Sequence, residues 1–171
     1  MCESWSNNRE VPDELQWKDV PADRVGDLEY ILDLLDWEAN VDPDFVRNRQ
    51  LIPFLTEESA QDGPPGHREK WIVYKSPTFS AKELTLAPGA AATVTDTDAY
   101  GVVVVQGRGT FGVHPAAAPT SVRFGQLTED EFFVSEQAAR DGVRVTNASS
   151  SEPLVLLKHF GPGNASLPAL D

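Results

Sequence analysis

A mainly β fold, a jelly-roll barrel preceded by an acidic helical arm, is what this sequence predicts, and three observations carry it. From Trp71 to Phe160 short β-rich segments alternate with turns bearing Gly and Pro. Ahead of them the apolar period is 3.6 rather than 2, in Leu28, Ile31, Leu32 and Leu35. The formal charge of −13 is also unevenly placed. Residues 1–65 hold 5 Lys and Arg against 16 Asp and Glu, a net of −11; residues 66–171 hold 9 against 11, a net of −2.

A chain of 171 residues has room for one compact domain plus an appendage. No apolar run approaches the roughly 18 residues that a membrane span needs. The start, Met1-Cys2-Glu3-Ser4-Trp5, is polar and acidic and does not read as a secretory signal. Cys2 is the single cysteine, which excludes an internal disulfide. A cytoplasmic location is therefore expected, and the Asn147-Ala148-Ser149 and Asn164-Ala165-Ser166 sequons carry no weight. The negative field would repel a phosphate backbone, which argues against nucleic-acid binding.

In the arm, Asp23 is the expected N-cap of one helix running through about Glu38, with Asp27 favourable in its first turn and Asn40 and Pro43 ending it. Its apolar stripe has to lie on the barrel or on a partner. Residues 56–66, closing on Gly63-Pro64-Pro65-Gly66, read as an exposed linker. The expected division is 1–67 for arm and linker, 68–163 for the barrel and 164–171 for a C-terminal tail.

Expected strands are Trp71–Lys75, Phe79–Leu86, Ala92–Thr97, Gly101–Gln106, Thr110–His114, Ser121–Phe124, Glu131–Ser135, Val143–Asn147 and Pro153–Phe160. Turns are expected at Pro88-Gly89, Gly107-Arg108-Gly109, 115–119, Asp141-Gly142 and 149–151. The run Val102-Val103-Val104-Val105 suits a strand covered on both faces.

Two stretches then carry a resemblance. Pro88-Gly89 followed by Tyr100-Gly101-Val102-Val103-Val104-Val105-Gln106-Gly107-Arg108-Gly109 resembles the first conserved block of the cupin superfamily. Glu131-Phe132-Phe133-Val134, Gly142-Val143-Arg144-Val145-Thr146-Asn147 and Glu152-Pro153-Leu154 resemble the second. Phe79-Ser80-Ala81-Lys82-Glu83-Leu84-Thr85, Lys158-His159-Phe160-Gly161-Pro162 and the arm from Lys18 to Pro43 are similar to the C-terminal half of two-cupin proteins related to type I phosphomannose isomerases. The resemblance implies a cupin-like jelly roll, and a chain that corresponds to such a C-terminal half.

Cupin metal sites resemble a His-x-His pair, a Glu a few residues on and a later His, a set that holds a divalent metal with one position open. Counted from Gly89, those positions fall at Thr95, Thr97, near Tyr100 and near Val143, none of them a good ligand. The three histidines, His67, His114 and His159, lie elsewhere. An unusual set of His114, His159 and Asp96 or Asp98 is the alternative to ordinary polar roles, and His159 is the residue whose strand can turn inward. No metal and no cofactor are expected.

Two motifs mislead. Gly107-Arg108-Gly109-Thr110-Phe111-Gly112 matches G-x-G-x-x-G, but a strand follows where a dinucleotide fold needs a helix, so a tight hairpin is the better reading. Glu129, Asp130, Glu131 and Glu136 could pair for acid–base work, but they read as a solvated loop and strand start. The leading expectation is a metal-free cupin module with a structural or interaction role, or one that binds a sugar-like ligand in the barrel. The alternative is part of a metal-dependent sugar-phosphate isomerase whose catalytic half is missing. The residues expected to line the barrel and bind are Lys82, Arg123, Arg144, Lys158 and His159. The expected partner is a second copy in a homodimer, or another cupin half.

Overall fold

The computed structural model describes residue 15 and residues 17–61, 65–120 and 124–168. Two compact units divide between Gln50 and Leu51. Within the described residues no helix is long and apolar enough to cross a membrane.

In the first unit a 3-10 turn, Ala22–Arg24, precedes three short helices: α1 (Leu28–Asp33), α2 (Trp37–Val41) and α3 (Phe45–Arg49). The single helix expected from Asp23 to Glu38 is thus broken. Gly26 takes φ +86°, a left-handed turn that stops any helix begun at Asp23. Asp27 and Asp36, expected inside the helix or on its polar side, instead cap new ones, accepting from the N–H of Tyr30 at 3.1 Å and of Ala39 at 2.9 Å. The Tyr30 N–H, then the Arg24 guanidinium, hold the Asp27 carboxyl below the ordinary carboxylate range. No residue of α1, α2 or α3 is buried.

The second unit is mainly β, and its antiparallel strands form one curled sheet. Strand order is β1-β2-β3-β9-β5-β8-β4, and β6 and β7 also pair with β5. The strands are β1 (Phe54–Leu55), β2 (His67–Val73), β3 (Ser80–Leu86), β4 (Ala91–Val94), β5 (Tyr100–Phe111), β6 (His114–Ala118), β7 (Glu131–Val134), β8 (Val143–Asn147) and β9 (Leu154–Phe160). The segment read as an exposed linker is structured where it is described. β1 pairs with β2, and the buried Thr56 caps helix α4 (Glu57–Ala60), its side chain accepting from Ser59 N.

β5 explains most of the remaining differences. Its first half pairs with β9 and β7, its second half with β6 and β8, so the strand passes from one sheet to the other. Gly107 sits at φ +85° just beyond the register shift between Val104 and Gln106. At Gly109 a Cβ would fall 1.8 Å from the Thr146 carbonyl oxygen, so only glycine lets β8 approach. The hairpin expected at Gly107–Gly109 is therefore a bend, and the chain reverses at Gly112-Val113, where Phe111 faces His114. Residues 115–118, expected as a turn, continue β6. Val105 is exposed while Val102 and Val104 are buried, so this strand is covered on one face near its bend, not on both. An unexpected helix, α5 (Glu136–Asp141), is capped by Ser135 and ended by Gly142 at φ +91°. Most of the strand expected at Ser121–Phe124 lies outside the described residues.

Strand alternation places Leu84, Leu86, Val102, Val104, Leu154 and Leu156 in one core with Val145. Beside it Asn147, 1% exposed, ties three segments together. Its Nδ2 donates to the carbonyls of Leu86, Ala87 and Glu152 at 3.1, 3.1 and 2.8 Å, and its Oδ1 accepts from Ser149 N at 2.9 Å. Asn147→Ala strands these buried groups and should lower unfolding free energy by about 2–4 kcal/mol in urea titration. A loss below about 0.5 kcal/mol, the range of an ordinary surface change, would mean water replaces the side chain.

Candidate functional site

Charges occupy the same inward-facing positions that hold leucines elsewhere on these strands. On β3, Lys82 shares the face of Leu84 and Leu86; on β9, Lys158 shares that of Leu154 and Leu156. The register sets Lys82 directly opposite Lys158, a like-charge pair that destabilises a sheet unless it is neutralised. Asp96, just after β4, supplies one carboxylate oxygen to each ammonium: Oδ1 to Lys82 Nζ at 2.6 Å and Oδ2 to Lys158 Nζ at 2.5 Å. Glu69 on β2 closes the square. Its Oε2 is 3.7 Å from Lys82 Nζ, and its Oε1 contacts Lys158 Nζ as an ion pair without the alignment of a hydrogen bond.

Aromatic rings wall this square. Lys82 Nζ lies 4.7 Å from the Trp71 ring centre and 5.3 Å from that of Phe160. Lys158 Nζ lies 5.2 Å from Tyr100 and 5.9 Å from Phe160. All four charged residues are buried, and Lys158 is 0% exposed. Two positive and two negative groups sum to zero, which is the condition under which such a cluster can be buried at all. Burial, and then the negative charges of Asp96 and Glu69, push the Tyr100 hydroxyl well above its ordinary pKa, so it stays protonated. That hydroxyl is buried without a hydrogen-bond partner among the described residues.

The backbone fixes both acids. The Glu69 N–H donates to Ser59 Oγ at 2.7 Å and its carbonyl accepts from Thr56 N at 3.0 Å. The Asp96 N–H donates to the Ala139 carbonyl of α5 at 3.0 Å. Chemically the square is closed. Each ammonium faces two carboxylates, so neither lysine is a free amine nucleophile or a phosphate cradle. Among the described residues no group of three or more His, Cys, Asp and Glu is placed to hold a metal ion.

Of the residues expected to line the barrel, the structure brings only Lys82 and Lys158 together there. His159 points outward and is exposed, lying over Gly101, where a Cβ would come within 2.2 Å of its Nε2. The inward alternation falls on Lys158 and Phe160, which leaves His159 on the other face. Arg144 is exposed for the same reason, its neighbour Val145 taking the core side. Arg123 lies outside the described residues. Thr95 and Thr97 are exposed and Asp96 between them faces in, one residue off the register that the metal spacing implied. Tyr100 does face in, and Val143 is half-buried. His114 is exposed beside the β5–β6 turn. Asp98 is engaged by the Thr97 hydroxyl and by Ala165 N at 3.1 Å, and these, the hydroxyl foremost, hold its carboxyl low.

Glu69 and the inward role of Asp96 escaped sequence reading, although a signal existed. Counting by twos from the core leucines puts a charge at a core position on β3 and β9, which demands buried counter-charges.

Outside the square, a cleft of about 1010 Å³ opens between the β5–β6 turn, β7 and the start of β8. Phe111 and Phe132, stacked with ring centres 5.0 Å apart, form its floor with Val134, Ala138 and Val143. Arg144, Glu129 and Glu131 stand among its polar lining, and none of the four charged residues of the square reaches it.

No family model and no curated protein matches the chain. Solved structures do. An RmlC-like cupin protein from Ralstonia eutropha is 11% identical over 64% of this chain and 64% of that one, with a TM-score of 0.44. A cupin-2 domain protein from Rhodospirillum rubrum is 17% identical over 69% and 75%, with a TM-score of 0.43. A chain of the Rhodobacter sphaeroides complex of SigE with the anti-sigma ChrR is 12% identical over 58% of this chain and 46% of that one, with a TM-score of 0.43. The chain thus spans less than half of one and under two thirds of another. At these identities the likenesses decide nothing about function; strand order and register define the fold.

Proposed function

We propose that this chain is a cupin-fold module that works without a metal, as a structural or interaction domain. The observation that supports this reading is the lysine–carboxylate square in the barrel interior. A metal-dependent cupin enzyme needs several neutral or anionic ligands and an open position at the metal. Here ammonium groups occupy the carboxylates, and aromatic rings take the surrounding space.

A second reading, small-ligand binding, is favoured by the cleft and not by the barrel interior. Arg144 offers a planar fork for a carboxylate or phosphate above an apolar floor, a combination suited to a sugar-like ligand. The isomerase alternative draws little support from the cations, because Lys82 and Lys158 are neutralised and Arg144 stands apart from them.

Elemental analysis after dialysis should find no stoichiometric Zn, Fe, Mn or Ni; one equivalent of any of these would overturn the metal-free reading. Lys158→Met leaves an uncompensated buried carboxylate and should cost about 3–5 kcal/mol. Adding Glu69→Gln restores neutrality, with an expected favourable coupling of about 1–3 kcal/mol in the double-mutant cycle. Absence of coupling would show that the square is wet and electrostatically slack. Mannose 6-phosphate and glucose 6-phosphate should not be turned over with Zn, Mn or Fe supplied separately. Turnover that disappears on replacing His114 or His159 would establish the enzyme instead. Calorimetric binding of a phosphosugar that Arg144→Ala abolishes would support the cleft as its site.

A further inference from the structure

The first unit has a surface that nothing described so far employs. Residues 25–46 contain seven Asp and Glu and no Lys or Arg. Interspersed with these acids are large apolar side chains, and the first unit does not bury them among its own helices. Leu28 is 67% exposed, Trp37 49% and Val41 72%, and Leu32, Leu35 and Phe45 are exposed as well. Helices of five or six residues with no buried position are too short to persist on propensity alone. Their caps at Asp27 and Asp36 set the turns but bury nothing. Such a segment is stabilised by a surface that covers its apolar side chains.

We infer that residues 25–46 form a docking segment for another protein chain that presents an apolar groove rimmed by Lys and Arg. This rests on reading the chain as an interaction module, and charge chooses the occupant. A second copy would bring an identical acidic face against this one. The rest of the chain offers little compensation, since residues 66–171 carry a net of −2 and the cleft sets Glu129 and Glu131 against Arg144. Anionic membrane surfaces are repelled for the same reason. A groove of Leu- or Met-type side chains bordered by cations satisfies both halves of the pattern, as in helix-in-groove recognition.

Hydrogen exchange on the full chain tests this with two synthetic amphipathic helices, one of Leu and Lys and one of Leu and Glu. In the free chain, amides of residues 28–49 should exchange much faster than those of β3, β5 and β9. The Leu/Lys helix should slow them, and the Leu/Glu helix should not. Leu28→Asp with Leu35→Asp should weaken Leu/Lys binding by roughly tenfold or more, as loss of apolar anchors does. Asp33→Lys with Asp36→Lys should weaken it too, and added salt should lower the affinity of the unmutated chain. Slow exchange of residues 28–49 in the free chain, protection that grows with protein concentration alone, protection confined to the cleft, or equal binding of the Leu/Glu helix would each overturn the inference. Hexose-phosphate turnover would defeat the interaction-module reading without altering the exchange pattern. Failed protection would defeat the docking segment and leave the metal and turnover results standing.

Discussion

Two lysines face each other across adjacent strands inside a barrel, and the rest of the second unit is arranged around neutralising them. The pairing of β3 with β9 sets Lys82 opposite Lys158, and both are buried. In a medium of low polarity the repulsion of two ammonium groups, added to the loss of their hydration, would exceed the whole stability of an ordinary domain. Asp96 and Glu69 convert this into a closed, neutral arrangement. Its net contribution is far smaller than its component terms, because desolvation offsets attraction. Its larger effect is to restrict which arrangements of the strands are tolerable.

That restriction reaches outward from the square. Glu69 must present its carboxylate from β2, so its backbone is clamped by Thr56 and Ser59, and the stretch before the barrel becomes a strand and a helix. Asp96 must present its own from a connection between strands, so its amide is held by Ala139, and α5 is recruited as a support. Gly109 and Asn147 do comparable work at the apolar end, one by yielding space to β8 and the other by bonding three carbonyls. The two ends of the interior are thus held by different means, ionic at one and apolar with a buried amide at the other.

The period-2 pattern makes the barrel strands readable, and Val143–Asn147 is legible to the residue because turns flank it closely. What the sequence concealed was long-range in origin. The bend at Gly107 resembles a hairpin locally, and only the pairing of β5 with both β9 and β8 shows that the strand continues. The inward face of residues 95–97 depends on a one-residue register that spacing from Gly89 does not determine. Lys82 and Lys158 face inward, and the partners that alternation alone does not reveal are Asp96 and Glu69. Arg144 and His159 fail the same alternation that buries their neighbours. In the arm, the 3.6 period holds over Leu28, Ile31 and Leu32 within α1, while Leu35 falls past its end, because Gly26 and the capping aspartates cut the helix shorter than periodicity alone implies.

The square joins positions as far apart in the chain as Glu69 and Lys158, and this bears on the order in which the barrel assembles. Its charges remain hydrated at no cost while the sheet is open, so they give early collapse no incentive. They become costly once water leaves, unless all four are present. A half-closed barrel lacking β2 or the β4–β5 connection would trap an unmatched ammonium, and the chain is steered away from dry, partly built forms. Closure is therefore expected to be a late and concerted step, and with such non-local contacts a slow one.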